Sequence, residues 1–193
     1  KRFSNNWYSK LLKTDKMINF EYARNNEFIK KLGINSNKNK FILPQVCELK
    51  NNLINRKFIS IFPGATHLSR CWNPKNFAEI IKRIQNKYNL EILICGDKSE
   101  IHISENILKE LNSSKVKNLV GKTTLKEIVE IIRNSQLIIG NDSGPIHIAY
   151  VVNTPSICIS SGNNFERYVP YPKTFINSPK TIYSKKCKDI NWS

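Results

Sequence analysis

Asn141-Asp142-Ser143-Gly144, followed by Pro145 and His147, places a carboxylate, a hydroxyl, an unsubstituted backbone and an imidazole within seven residues. Before it, Leu137-Ile138-Ile139-Gly140 is a short apolar run, as expected of a buried parallel strand. After it, Pro145 opens a helix whose apolar residues are Ile146, Ile148, Ala149, Val151 and Val152. Proline suits a first helical turn, where its missing N–H would go unpaired anyway. A strand, a tight turn and a helix N-terminus point free amides at one spot, and an anion such as a phosphate binds there. Ser143 adds a hydroxyl, Gly144 admits close approach of a ligand, and His147 reaches the same spot from the first turn. A carboxylate repels phosphate, so Asp142 is read as holding sugar hydroxyls or orienting the loop. The plainer alternative makes Asp142 a helix cap and His147 a packed core residue.

The elements that must position these residues are legible from periodicity. Phe58-Ile59-Ser60-Ile61-Phe62, Leu90 to Cys95, Val116 to Val120, the Leu137 run and Thr154 to Ser160 read as five strands. Between them lie a helix begun by Asn73-Pro74 with Phe77, Ile80, Ile81 and Ile84 on one face, and another from about Glu100 to Leu111. A third helix opens at the capping-box pattern Thr124-Leu125-Lys126-Glu127. Strand and helix alternate with short connections, which predicts an α/β fold with a doubly wound parallel sheet, Rossmann-like. The polar strand ends 64–70, 96–100, 121–123 and 141–147 then top one rim of the sheet, where ligands of such folds bind.

The 193 residues suffice for one sizeable core; 40% are hydrophobic and 24% charged, and no apolar run approaches the roughly 20 residues of a membrane span. The net charge of +16 is uneven. Residues 1–57 hold 13 basic and 4 acidic side chains, residues 58–172 hold 13 and 10, and residues 173–193 hold 5 and 1. The expected organisation is therefore a basic linker or domain remnant at 1–57, a ligand-binding domain at 58–172 and a basic tail at 173–193. The excess charge either attracts an anionic surface or is simply solvated lysine. Nucleic acid is not an expected partner, because the basic flanks lack an interleaved reading motif. Five widely spaced cysteines with no metal-ligand spacing suggest a reducing cytoplasm, with Cys95 and Cys158 in buried strands. Phe20 to Leu32 has near-helical apolar spacing and ends at Gly33; Asn35 to Lys40 is a polar loop.

Three blocks resemble a known family. Pro63-Gly64-Ala65 with Arg70-Cys71-Trp72-Asn73-Pro74 resembles the PGA…K-x-W-P signature of the ADP-heptose:lipopolysaccharide heptosyltransferases, glycosyltransferase family 9. Val120 to Leu125 resembles the family's G-x-T-x-L segment, and Asn141 to Ala149 is similar to its N-D-S-G-P-x-H-x-A block almost residue for residue. The resemblance implies the C-terminal, donor-binding half of a two-domain GT-B enzyme, cytoplasmic or peripheral on the inner membrane. It implies a nucleotide-sugar donor (ADP-heptose or a related ADP-sugar), an anionic lipopolysaccharide-core acceptor, inversion at the anomeric carbon, no metal and no further cofactor. The aspartate base would lie in an N-terminal acceptor domain that has no matching position here, so this chain by itself would be inactive.

By position, Arg70 and Asp142 would be the catalytic pair, and Thr66, Glu100, Lys122, Ser143, Gly144 and His147 would bind the donor. Charge builds on the departing diphosphate during glycosyl transfer. Helix amides, Arg70 and Lys122 are the groups that could stabilise it. Arg70 stands where the family has lysine, and Trp72 and Pro74 are separated by Asn73. Trp72 is read as a packing anchor beneath the loop, and Lys122 and Glu100 each also have a plain reading, as a solvated lysine and a first-turn helix carboxylate. Two other functions fit the same residues: an epimerase-like GT-B enzyme, which a uridine preference would favour, and a nucleotide-sugar-binding module without catalysis.

Overall fold

The computed structural model describes residues 15, 18–34, 43–49, 57–162 and 165–183. The 35–40 loop and Cys187 lie outside them. Among the described residues, six parallel strands form one sheet: β1 Phe58–Phe62, β2 Glu91–Ile94, β3 Val116–Asn118, β4 Leu137–Asn141, β5 Ser156–Ile159 and β6 Lys180–Ile182. Their order is β3-β2-β1-β4-β5-β6, so the chain winds outward from β1 in one direction and then, from β4, in the other. The helices are α1 Glu21–Lys31, α2 Pro74–Tyr88, α3 Ile101–Lys109, α4 Leu125–Asn134 and α5 Gly144–Val151.

Strand alternation divides the core into two. Phe58 and Phe62 of β1, Leu93 of β2 and Ile138 of β4 face α4 and α5, where they meet Ile131, Ile132, Ile146 and Ala149. Ile59 and Ile61, Ile92 and Ile94, and Ile139 face α2 and α3, where they meet Phe77, Ile81, Ile103 and Ile107. Both faces of β1 are covered, which is why its five residues are apolar except for Ser60. Ser60 is satisfied by a 2.8 Å hydrogen bond with Ser135 Oγ, whose own hydroxyl reaches the Ile131 carbonyl at 2.7 Å. Each buried Phe or Ile side chain contributes about 1.5–3 kcal/mol of transfer free energy.

The helix starts follow the sequence signals. Asn73 Oδ1 accepts from the Lys75 amide, with proline in the first turn of α2. At α4 the capping box is complete, with Thr124 and Glu127 each accepting from the other's amide. The segment at 43–49 straps across α4. Glu130 accepts from the Val46 amide at 3.0 Å, Arg133 donates to the Leu43 and Pro44 carbonyls, and Leu49 enters the α4–α5 core.

The sixth strand departs from the sequence reading, which ended the sheet at β5 and assigned residues after 172 to a tail. Lys180–Ile182 is too short and polar to announce itself, and it is an edge strand paired on one side only. At the other end of the chain, α1 buries none of its own residues. It is attached through Phe20, whose ring packs against Tyr171 and Phe175, and through a Glu21–Arg167 ion pair of 3.1 Å.

Candidate functional site

All six strands run the same way, so the polar strand ends share one edge. A cavity of about 330 Å³ opens there between the ends of β1 and β4, where the winding reverses. Thr66, Glu100, Ser143 and Gly144 line it together, beside Gly64, Gly96, Asp97, Thr123 and Pro145. Phe62, Leu125 and Ile128 supply apolar wall. A larger polar hollow, about 680 Å³, lies at the opposite edge between the end of α2 and residues 110–115. It is lined by Lys82, Gln85, Asn86, Asn89 and residues 110–115, and among the described residues it borders neither a strand carboxyl end nor a helix N-terminus.

Asn141 is buried at the end of β4, behind the cavity lining. Its side chain donates to the Pro63 carbonyl at 2.6 Å and accepts from the Trp72 amide at 3.0 Å, tying the end of β4 to the β1 loop. Trp72 then packs edge-on against Phe77, the anchoring role expected of it. Ser143 occupies the N-cap position of α5 but does not cap it; its hydroxyl turns back to the Asn141 carbonyl at 3.2 Å. The α5 N-terminus therefore borders the cavity with no side-chain cap among the described residues. A Cβ at Gly144 would meet nothing within 4 Å, so the turn is open on that side.

Glu100 forms the other end of the cavity. It and Asp97 make a reciprocal capping box, with Glu100 Oε2 accepting from the Asp97 amide at 2.9 Å. The carboxylate lies where a Cβ at Gly64 or Gly96 would stand, so a side chain at either position would push it out of this placement. Burial pushes its pKa up, against the opposing hydrogen bond from Asp97. The plain reading of Glu100 is thus half right: it serves the helix start and faces the cavity as well.

Arg70, Asp142 and His147 are brought together beside the cavity rather than in its wall. Arg70 Nη2 donates to the Asp142 carbonyl at 3.0 Å and to its Oδ2 at 3.2 Å. Asp142 is 4% exposed and is not a helix cap. Its Oδ1 lies 4.0 Å from His147 Nε2. Burial lowers the His147 pKa, and the nearby Asp142 charge only partly offsets this. Nδ1 of His147 is 2.7 Å from the Tyr171 hydroxyl. Lys122 is the expected site residue that stands apart: its Nζ reaches back to the Asn118 carbonyl at 3.0 Å, and it is not among the residues lining the cavity. Sequence reasoning missed Tyr171 and Asn141's bridging role. Tyr171 lies 24 residues beyond His147 in a stretch without regular structure, and no spacing rule links the two.

A doubly wound parallel sheet with helices on both faces and a cavity at the winding reversal defines a Rossmann-like α/β domain. The family model "Glycosyltransferase family 9 (heptosyltransferase)" matches residues 11–192, and the chain belongs to that family. It is 32% identical over 146 residues to the lipooligosaccharide heptosyltransferase 2 of Campylobacter jejuni, covering 72% of this chain and 46% of that protein. It is 29% identical over 130 residues to the lipopolysaccharide heptosyltransferase 3 of Escherichia coli, covering 67% and 38%. The chain thus spans less than half the length of these curated relatives. The fold matches that of the E. coli heptosyltransferase WaaC solved with ADP-2-deoxy-2-fluoro heptose, with a TM-score of 0.66, 14% identity, and 93% of this chain and 53% of that one covered. Among the described residues no helix is long and apolar enough to cross a membrane.

Proposed function

We propose that this chain is the donor-binding half of a heptosyltransferase that moves a sugar from ADP-heptose, or a related ADP-sugar, to an anionic lipopolysaccharide-core acceptor. The observation that carries the proposal is the cavity between β1 and β4, which joins Glu100 at one end to the uncapped α5 N-terminus at the other. The heptosyltransferase activity for which its relatives are named and the ADP-sugar bound to WaaC support the same donor.

In this reading the diphosphate lies over Ser143 and Gly144, where the α5 amides and helix dipole favour anions. Thr66 hydrogen-bonds it from the β1 loop, and Glu100 accepts from ribose hydroxyls. As the glycosidic bond breaks, negative charge grows on the departing ADP. The α5 amides and Arg70 stabilise it without need of a metal, each fixed donor contributing about 3–4 kcal/mol. Arg70 reaches the phosphates by loosening its hold on the Asp142 carboxylate. Asp142 then accepts from the sugar, and His147 donates to the oxyanion through an N–H. The anomeric carbon inverts when the acceptor attacks from the face opposite the ADP. The acceptor and its base belong to a further domain, which this reading places with the acceptor at the cytoplasmic face of the inner membrane.

Calorimetric titration of the 193-residue chain with ADP, ADP-heptose and UDP tests this. ADP and ADP-heptose should bind and UDP should not. No heat with either adenosine ligand, from a chain with a cooperative thermal transition, refutes the proposal.

A further inference from the structure

Tyr171 takes no part in any feature the sequence pointed to, yet it touches the site from outside. Its hydroxyl is 2.7 Å from His147 Nδ1, and the two rings lie nearly parallel, 16° apart, at 5.8 Å. The ring is held from other sides by Tyr150 at 4.9 Å, Phe20 at 5.2 Å and Phe175 at 5.8 Å. Such tilted and edge-on contacts fix a ring's orientation as well as its depth.

We infer that Tyr171 is a positioning residue for His147, its hydroxyl locking the imidazole in the tautomer that carries the proton on Nε2. A neutral imidazole has one N–H and one bare nitrogen. Nε2 faces the Asp142 carboxylate at 4.0 Å, and a carboxylate draws the proton to the nitrogen that faces it. Nδ1 is then the acceptor, and the Tyr171 O–H is the donor placed against it. Burial supports both protonation states, lowering the His147 pKa and raising that of Tyr171. The consequence for ligand binding rests on the proposed function: a fixed Nε2–H is a preorganised donor for a diphosphate oxygen, and a ring free to exchange tautomers offers it only part of the time.

The test uses the whole chain labelled with ¹⁵N-histidine. It holds three histidines, so replacing His67 and His102 in turn assigns the His147 ring signals. The expected spectrum near neutral pH shows His147 as the Nε2–H tautomer. Tyr171→Phe keeps the ring contacts and removes the hydroxyl. It should leave a cooperative melt, give a mixed-tautomer spectrum and weaken ADP binding on the order of fivefold, the effect of one lost hydrogen bond. In a His147→Ala background the same substitution should change ADP affinity less than twofold.

An Nδ1–H tautomer in the unmodified chain overturns the inference. So does an unchanged His147 spectrum in Tyr171→Phe, or a full loss of affinity when His147 is already gone. If the unmodified chain fails to bind ADP, the sugar-nucleotide reading falls, while the spectra still decide what Tyr171 does to His147.

Discussion

Asp142→Asn keeps the size of the side chain and removes its charge, which separates its two proposed effects. Asp142 is 4% exposed and receives Arg70 Nη2 twice, at its carbonyl at 3.0 Å and at Oδ2 at 3.2 Å. The carbonyl bond survives the substitution. What is lost is one charge-assisted bond, worth about 1.5–3 kcal/mol. The Arg70 side chain is 21% exposed, so water takes up part of the loss and the lower half of that range applies, about 2 kcal/mol. For a domain of this size that lowers Tm by about 4–8 °C. Nucleotide affinity should move the other way. Removing a negative charge beside the proposed phosphate position and freeing Arg70 toward it should raise ADP affinity about fivefold, since a unit charge a few ångströms away in a wet cleft is worth about 1 kcal/mol. The gain should shrink in high salt. Scanning calorimetry and ADP titration at low and high salt measure both effects. An unchanged Tm shows that the Arg70–Asp142 pair holds nothing in place. A fall in ADP affinity shows that Asp142 itself grips the nucleotide and that the charge argument is wrong.

Gly64→Ala puts a methyl group where the Glu100 carboxylate lies; the carboxylate is the end of a flexible side chain and can swing aside, so urea unfolding should show a loss under about 1 kcal/mol while ADP binding weakens as Glu100 is displaced. Gly144→Ala meets open space in the free protein; its Tm should hold while ADP affinity drops at least tenfold, and equal affinity would show that no phosphate lies over residue 144. Glu130→Ala removes the acceptor for the Val46 amide and the partner of Arg133 Nε at 3.2 Å; it should cost about 3 kcal/mol and speed proteolysis in the 43–49 strap. Burial holds the His147 pKa below 6.5, so the unfolded chain binds more protons than the folded one at mildly acid pH. Stability should therefore be level in His147 above about pH 6.5 and decline as the pH falls below it, and His147→Gln should reduce that slope in a pH series of thermal melts.

How much of this was legible in the sequence depended on whether a residue's partner was close in the chain. Buried parallel strands such as Phe58–Phe62 carry their burial as composition, and the Asn73 cap and the Thr124–Glu127 box are written within four residues. The turn at 141–147 was readable for the same reason. The doubly wound order follows from alternation, and with it the common rim that brings Thr66, Glu100, Ser143 and Gly144 together. What stayed hidden was tertiary. The resemblance named Arg70 and Asp142 together, but their direct contact across 72 residues, like the His147–Tyr171 bond across 24, has no signal in spacing. Lys122 was drawn toward the site by its place on the rim, but a lysine in a short turn can satisfy itself on the nearest carbonyl, here Asn118. Strand β6 was hidden because Lys180-Thr181-Ile182 has neither length nor an apolar run.

The arrangement of charge also explains how acidic residues can border the proposed phosphate site. A cleft uniformly positive would hold any anion, and one uniformly negative would reject a diphosphate. Here the two signs are separated along the cavity. The α5 N-terminus offers partial positive charge at Ser143 and Gly144, while Glu100 and Asp97 stand at the β2 end. Asp142, the carboxylate nearest the helix start, is neutralised in the free protein by Arg70 and so does not cancel the helix dipole. In the proposed binding mode a ligand with an anionic centre and hydroxyl-bearing groups on either side would satisfy all three regions at once, with phosphates on the amides, ribose on Glu100 and sugar on Asp142. A free phosphate satisfies only the first. Inorganic phosphate should therefore bind at least a hundredfold more weakly than ADP, and ADP more weakly than ADP-heptose, each step reporting the next carboxylate brought into use. Equal affinity for phosphate and ADP would mean that the Glu100 end of the cavity recognises nothing.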